Sequence, residues 1–269
     1  ITSYLSTLNI SNSTFANNAG DGLYAQNGKY LTLNSNTFAN NSGDGLSVSS
    51  ATSVILNDNT FTSNSGVAAS LHFASGTYTS STLNSGSGNA LNGIRLSGSL
   101  SQSSSLPATP GLPYIISSNN LTLNSSSTLI FQPNSVVKFE ASTSTLQING
   151  ILDVQGTDGQ PVIFTSLKDD TAGGDTNNDG SSTSPAPGDW SSINISDSGQ
   201  LSMTYTSLAY GGNSASTADA ELYLTGNAQA SLDHVSFTSS GYYAVHMYSD
   251  VSTHNTRLTM SNSSIQGCP

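Results

Sequence analysis

The chain has 269 residues, of which only 8% are charged and 35% are hydrophobic, and its formal net charge is −11 because 16 acidic residues face five Lys and Arg. So few basic residues cannot form a patch that neutralises phosphates or uronates, which argues against nucleic acids and acidic polysaccharides as partners. The sequence has no 18-residue apolar run, which argues against membrane insertion, and Cys268, the only cysteine, excludes an internal disulfide.

The first part of the chain repeats with a period of 23 residues. Phe15 recurs as Phe38 and Phe61, and each Phe follows a Thr. A fixed period of this length is typical of stacked repeats, in which each unit buries its apolar face only against its neighbours. The other positions that recur with this step are Leu8/Leu31/Val54, Ile10/Leu33/Leu56, Asn18/Asn41/Asn64, Gly20/Gly43/Gly66, Leu23/Leu46/Ala69 and Ala25/Val48/Leu71.

The spacing within one repeat predicts three short strands joined by turns. Leu8 and Ile10 alternate with polar residues, so both side chains fall on one face of a strand. Phe15 and the pair Leu23 and Ala25 supply two further inward-facing segments, and Asn, Ser, Gly and Asp fill the turns between them. The sequence therefore predicts an all-β protein with the parallel β-helix fold and about 23 residues per rung. In that fold Phe38 is buried in a column between its two counterparts.

The asparagines at positions 18, 41 and 64 admit two interpretations. Amides that recur in register form a ladder, in which each side chain bonds to the one on the next rung. Asn is also a common turn residue that faces solvent. The fixed step favours the ladder.

The chain divides into three predicted parts. Residues 1–100 contain the regular rungs, and residues 101–113, rich in Ser and Pro, are either a linker or a loop ejected from the wall. Residues 114–269 continue the β-helix and carry an acidic insertion, 165–190, which has almost no apolar residue. We therefore expect this insertion to project as a long loop.

A resemblance to a known family becomes visible in the middle of the chain. The segment 156–166 (GTDGQPVIFTS), the pair Asp169-Asp170, the segment 174–180 (GDTNNDG) and the segment 188–190 (GDW) resemble large bacterial extracellular proteins built from right-handed parallel β-helix repeats. The resemblance implies the right-handed form of the fold and a secreted or cell-surface location. It implies no activity, because fold does not determine function.

The acidic insertion contains a candidate calcium site. Asp175, Asn177 and Asp179 alternate and are followed by Gly180, which is the spacing of a calcium-binding loop. The twelfth position is Ala186 rather than Glu, so the loop is not an EF-hand. We expect the remaining carboxylate ligand to come from Asp169, Asp170 or Asp189. The competing interpretation is a solvated acidic loop without an ion.

The last residues repeat the pattern of the first. Residues 258–265 match residues 8–15 in polarity at each position. A rung of this kind without a capping helix presents an open sheet edge, which favours pairing with further strands. We therefore expect partners that are copies of the chain or neighbouring repeats, stacked head to tail into a filament.

Two functions from different classes remain open. The favoured one is a structural or adhesive β-helix segment that is rigidified by calcium and has no enzymatic activity. The alternative is a β-helix that binds or cleaves carbohydrate. Asp169 and Asp170 are then candidate paired carboxylates, and His234 and His246 are candidate general bases. The candidate stacking surface for neutral sugars is formed by Tyr205, Tyr210, Tyr223, Tyr242, Tyr243 and Tyr248. The four histidines lack the spacing of a zinc site.

Overall fold

The computed structural model describes residues 7–80, 84–213, 215, 218–249 and 254–268. These residues form 25 strands and no helix, and every strand-to-strand ladder is parallel. The strands wind into a solenoid of about 10 turns with about 25 residues per turn. The predicted all-β parallel β-helix is confirmed. The outer limits of the predicted parts, residues 1 and 269, lie outside the described residues.

Four strand columns, here called walls 1 to 4, run along the solenoid. Wall 1 contains β1 (Thr7–Ser11), β4 (Tyr30–Asn34), β7 (Ser53–Asn57), the end of β9 (Val67–Ser80), β12 (Ser104–Leu106), β14 (Thr128–Phe131), β17 (Ile151–Gln155), the starts of β20 (Gln200–Ala209) and β22 (Gln229–Thr238), and β24 (Arg257–Ser261). Wall 2 contains β2 (Thr14–Ala16), β5 (Thr37–Ala39), β8 (Thr60–Thr62) and β10 (Ser85–Ser87).

Walls 3 and 4 share the longest strands. Wall 3 contains β3 (Leu23–Gln26), β6 (Leu46–Ser49), the starts of β9, β11 (Leu91–Leu100) and β13 (Tyr114–Leu123), then β15 (Val136–Phe139), β18 (Val162–Ser166), the ends of β20 and β22, and β25 (Ser264–Gln266). Wall 4 contains the later parts of β9, β11 and β13, then β16 (Thr145–Ile148), β19 (Ser192–Ile195), β21 (Ala220–Thr225) and β23 (Tyr243–Tyr248).

The wall composition changes along the solenoid. The first rungs use walls 1, 2 and 3, whereas wall 2 ends at β10 and the later rungs use walls 1, 3 and 4. The spacing changes with it. Neighbouring rungs are offset by 23 residues at first. Near the end the offset is 28 or 29 residues in walls 1 and 3, whereas it is 23 between β21 and β23 in wall 4. The offset is 49 residues in the rung that contains the acidic insertion.

The core of the first rungs is built from identical residues in register. Phe38 stacks face to face on Phe15 and Phe61, with ring centroids 5.1 and 5.0 Å apart and planes within 8° of parallel. Phe38 and Phe61 are fully buried, and Phe15 is partly buried at the end of the column. The predicted column is confirmed, because an equal step along the chain places equal side chains above one another.

The predicted asparagine ladder is present and is longer than expected. The Asn18 amide donates to Asn41 Oδ1 at 2.8 Å, Asn41 donates to Asn64 at 2.8 Å, and Asn64 donates to Asn89 at 2.7 Å. Each acceptor oxygen also receives a backbone N–H from the rung before it. Asn41 and Asn64 are 1% exposed, so they are buried ladder members rather than solvated turn residues.

A second ladder was not predicted. The Asn36 amide donates to Asn59 at 3.1 Å and Asn59 donates to Asn84 at 3.1 Å. The first rung has Ser13 at this position, and its backbone N–H donates to Asn36 Oδ1. The two ladders together satisfy buried backbone groups at both ends of the wall 2 strands, which the short strands alone leave unpaired.

Residues 101–113, predicted as a linker or an ejected loop, lie against the wall. Ser104–Leu106 forms β12, which pairs with β14, and the side chains of Leu106 and Leu112 are fully buried. Ser104 Oγ accepts the backbone N–H of Tyr78 at 3.1 Å, so a side chain bridges β12 to the preceding rung. Apolar core residues hold this segment in the stack despite its Ser and Pro content.

Candidate functional site

The acidic insertion leaves the solenoid after β18 and returns before β19, and its returning end is fixed in the core. Trp190 is fully buried and stacks on Phe139 with ring centroids 4.1 Å apart. Its indole Nε1 donates to the Ala209 carbonyl at 2.8 Å. Residue 211 must be Gly, because a Cβ there would lie 2.5 Å from the Trp190 ring. The returning end of the loop is therefore packed into the core.

The centre of the insertion is a tight acidic turn. Asp175 accepts the backbone N–H groups of Asp179 at 3.1 Å and of Gly180 at 2.8 Å, one on each carboxylate oxygen. Gly180 has a φ of +73°, a left-handed conformation that favours Gly. The Asn177 amide donates to Asp179 Oδ2 at 2.8 Å. The alternating residues thus point into one turn, as the sequence spacing indicates.

Three carboxylates converge at this turn. Oxygen atoms of Asp170, Asp175 and Asp179 all lie within 4.8 Å of one another. Three side-chain oxygens of these loop residues are buried and accept no hydrogen bond, namely Asp170 Oδ1, Asn177 Oδ1 and Asp179 Oδ1. Desolvation and the neighbouring Asp175 charge raise the pKa of Asp170. In contrast, a hydrogen bond from Thr183 lowers the pKa of Asp179. This arrangement combines negative charge with unpartnered acceptors.

Two of the predicted site residues, Asp169 and Asp189, are not members of this group. Asp169 accepts hydrogen bonds from Thr165 Oγ1 at 2.7 Å and from the Thr171 N–H at 3.1 Å. Asp189 lies at the returning end, where it pairs with Lys168 Nζ at 2.7 Å and accepts from Ser166 Oγ at 2.7 Å. Both carboxylates hold the stem of the loop.

The sequence did not single out Lys138, which anchors the loop to wall 3. Lys138 lies on β15 and is fully buried, and its Nζ donates to the carbonyls of Asp169 and Gly174 at 2.8 Å each. Burial lowers the pKa of Lys138 to about 8, although the nearby aspartates oppose the shift. A single Lys forms no motif, so the only sequence signal for this role is a Lys among apolar residues in the strand sequence VVKF.

The donor set fits a hard divalent cation. Calcium takes six to eight oxygen ligands from carboxylates, amide carbonyls, backbone carbonyls and water in flexible geometry. Here Asp170, Asp175 and Asp179 supply converging carboxylate oxygens, and Asn177 bonds to Asp179 beside them. Three side-chain oxygens of the described loop accept no hydrogen bond. No described His or Cys joins such a group, so the arrangement does not fit zinc.

The comparison with known families agrees with the architecture. A family model described as a right handed beta helix region matches residues 2–163, which is more than half of the chain. The chain belongs to the right-handed β-helix family. No curated protein and no solved structure matches this β-helix protein. The matched region ends within β18, so the acidic loop lies outside it.

The two histidines proposed as general bases in the β-helix each face an aspartate. His246 Nδ1 lies 2.5 Å from Asp219 Oδ1, and His234 Nδ1 lies 3.0 Å from Asp233 Oδ2. Tyr205 stacks on the His234 ring at 4.3 Å. Hydrogen bonds from Asn262, Ser261 and His234 lower the pKa of Asp233 to about 2. These contacts orient the two imidazole rings.

The predicted tyrosine surface is only partly formed. Tyr242, Tyr243 and Tyr248 are 41%, 43% and 48% exposed, whereas Tyr205, Tyr210 and Tyr223 are half-buried. Tyr243 packs its ring edge against His246 and against Tyr242. Tyr242 and Tyr243 therefore lie together at the start of β23, whereas Tyr248 is the last residue of that strand. Among the described residues, no helix has the length and apolarity required to cross a membrane.

Proposed function

We propose that this β-helix is a structural or adhesive segment of a secreted bacterial surface protein, and that Ca²⁺ rigidifies its long acidic loop. The observation that carries the proposal is the convergence of Asp170, Asp175 and Asp179 with three buried, unpartnered oxygens. Buried acceptors without a donor are unfavourable by about 1–3 kcal/mol each. A bound cation removes that cost and the mutual repulsion of the carboxylates.

The chemistry favours Ca²⁺ over Mg²⁺. Magnesium requires near-ideal octahedral geometry and usually retains several waters, whereas calcium accepts irregular shells of more ligands. The loop offers ligands from an irregular turn rather than from rigid strands. The ion would supply electrostatic cross-linking of the loop, and millimolar extracellular calcium would be sufficient even for a weak site.

Titration calorimetry of the intact chain tests the calcium proposal. We expect Ca²⁺ to bind with a stoichiometry of about one and Mg²⁺ to bind far more weakly. Asp179→Asn should weaken binding at least tenfold, because it removes a charged ligand. Asp189→Asn is the matched control, since this acid lies in the same loop but pairs with Lys168. Absence of Ca²⁺ binding, or equal losses in both variants, would contradict the proposal.

The proposal includes axial stacking with like rungs. The last rung repeats the first in its turn conformation, with φ of +49° at Asn262 and +50° at Asn12. Ser263 Oγ donates to the Ser261 carbonyl and accepts the Val235 N–H, and Ser13 Oγ makes the same donation to Ser11. The two rungs thus have the same local geometry. Light scattering over a concentration series should detect end-to-end growth, and a constant monomer mass would exclude stacking between copies.

The second candidate function is binding of neutral carbohydrate. It is favoured by the exposed Tyr242 and Tyr243 beside the Asp219–His246 pair, because aromatic faces and polar groups together suit sugar rings. Tyr243→Ala should abolish binding of neutral oligosaccharides in calorimetry. Tyr30→Ala is the control, since Tyr30 is similarly exposed, at 49%, but lies on β4 in the first rungs. Absence of binding by the unaltered chain would eliminate this candidate.

A further inference from the structure

The acidic loop reaches the first residues of β11 in wall 3, next to the place where wall 2 ends. Residues 169–176, here called the strap, run back from β18 along wall 3 towards the N-terminal rungs. The Thr176 carbonyl accepts the backbone N–H of Asn92 at 2.7 Å, and Thr176 is 1% exposed. Asn92 is the second residue of β11, and its side-chain amide donates to the Gly86 carbonyl of β10, the last strand of wall 2. The strap therefore supplies a hydrogen-bond partner to the start of β11, beside the place where wall 2 ends.

Two further contacts press the strap onto the wall. The Lys138 ammonium bonds to the carbonyls of Asp169 and Gly174. Gly173 lies so close to the wall that a Cβ would be 2.7 Å from Pro113 Cγ and 3.3 Å from Val136 Cγ1. Ala172 is 7% exposed. The strap is thus docked by backbone atoms and small residues rather than by large side chains.

Docking atoms and carboxylates alternate within the same segment. Asp170 and Asp175 belong to the acidic group, and between and beside them lie the carbonyls that bond to Lys138 and Asn92. A movement that separates the carboxylates would also displace these carbonyls. The position of the acidic group and the docking of the strap are therefore geometrically linked.

We propose that cation binding holds the strap docked at Asn92. The ion then controls whether this backbone position, at the junction between the rungs that use wall 2 and the later rungs, is covered or open to solvent. This inference rests on the proposed calcium site. Binding equilibria are reciprocal, so an ion that favours the docked strap must bind more tightly when docking is intact. The junction residues lie more than 70 positions before the ligands in the chain, which makes the coupling testable at a distance from the ion.

Hydrogen–deuterium exchange of the full chain measures the strap directly. With Ca²⁺ as the probe, the Asn92 amide should exchange at least tenfold more slowly than in a chelator. The backbone N–H of Asn41, which donates to Asn64 Oδ1 in the ladder, should exchange equally in both conditions. Asp170→Asn should remove the calcium dependence at Asn92. Calcium binding by calorimetry without any change at Asn92 would overturn the strap while leaving the calcium site intact, whereas absence of binding would reject both.

Lys138→Met separates docking from simple electrostatics. Removing a cation beside three carboxylates should raise Ca²⁺ affinity if charge alone matters. If Lys138 anchors the strap, the affinity should fall at least threefold instead, because undocking disperses the ligands. A rise in affinity in the folded variant would overturn the proposal.

A second pair of variants keeps the test independent of the buried lysine. Gly173 and Gly174 both have left-handed φ, +72° and +80°, so either Gly→Ala change introduces similar backbone strain. Only Gly173→Ala also clashes with the wall, since nothing lies within 4 Å of a Cβ at Gly174. We expect Gly173→Ala to speed exchange at Asn92 and weaken Ca²⁺ binding more than Gly174→Ala. Equal effects of the two variants would overturn the proposal.

Discussion

The two regions of the solenoid solve the same packing problem differently. In the first region, residues 7–80 and 84–89, a constant step aligns identical side chains, which gives face-to-face Phe stacks and two asparagine ladders. In the second region, the described residues from 91 to 268, the step varies and the buried aromatics meet in mixed geometries. Phe131 meets Phe164 edge to face at 89°, whereas Phe139 and Trp190 stack. Regular spacing permits ladders, whereas variable spacing permits the insertion that forms the candidate site.

The second region also contains buried groups that lack a ladder. Glu221 is fully buried, and only its Oε1 has a partner, the Gly211 N–H at 3.0 Å. Burial raises the pKa of Glu221 to about 8. In the first region, by comparison, each buried ladder amide both donates and accepts. The comparison predicts that truncating a buried polar side chain lowers stability in the first region. It also predicts that replacing a buried acid by a neutral residue raises stability in the second region.

The largest effect is expected from Phe38→Ala in the first region. Removing the middle of the column leaves a cavity between two rings, and such truncations cost about 3–5 kcal/mol in the free energy of unfolding. Chemical denaturation measures the loss. Phe15→Ala is the control and should cost clearly less, since Phe15 is only partly buried. Equal losses would mean that the column is not a packed unit.

The pH dependence of stability should reveal Glu221 in the second region. Its pKa rises from 4.5 in the unfolded chain to about 8 in the folded protein. Above pH 4.5 the unfolded chain releases this proton while the folded protein retains it, so the free energy of unfolding falls as pH rises towards 8. The loss by neutral pH is about 3 kcal/mol.

Glu221→Gln checks that assignment, because the amide does not titrate. Thermal unfolding across this pH range should show a flatter stability profile for the variant than for the unaltered protein. The stability of the variant relative to the unaltered protein should therefore be higher at pH 8 than at pH 4.5. An unchanged slope would assign the pH dependence to other groups.

A smaller loss is expected from Asn41→Ala in the ladder. The change leaves the Asn18 amide and the Phe15 carbonyl without their partners and costs about 2 kcal/mol. Asn57→Ala is the matched control, because Asn57 makes a single bond to Asn34 on the outer face and should cost about 0.5–1 kcal/mol. Denaturant unfolding of both variants would contradict the ladder if the two losses were the same.

Much of the first region was predictable because a fixed step converts sequence identity into spatial stacking. The Phe column, the ladder through Asn41 and the wall strands all follow from the 23-residue period. The second ladder was harder to find, since its first position is Ser13 and its last step, from Asn59 to Asn84, is 25 residues. A strict 23-residue period does not identify an Asn that is displaced by two residues.

The candidate site was predictable only in its local part. Asp175, Asn177 and Asp179 lie close in sequence, so their spacing predicts one turn. Lys138 and Asn92 are distant in sequence from the loop, and their contacts are made through backbone carbonyls that carry no residue identity. Likewise, no pattern indicated that Lys168 and Ser166 hold Asp189 at the stem.

The central claim, that the second region uses its insertion to hold a cation, is tested most directly by a crystal structure of the chain grown in calcium. We predict one calcium peak at 2.3–2.6 Å from the unpartnered oxygens of Asp170, Asn177 and Asp179, with Asp175 within reach and Asp189 still paired with Lys168. A loop that has the same conformation with only water between these oxygens would contradict the account.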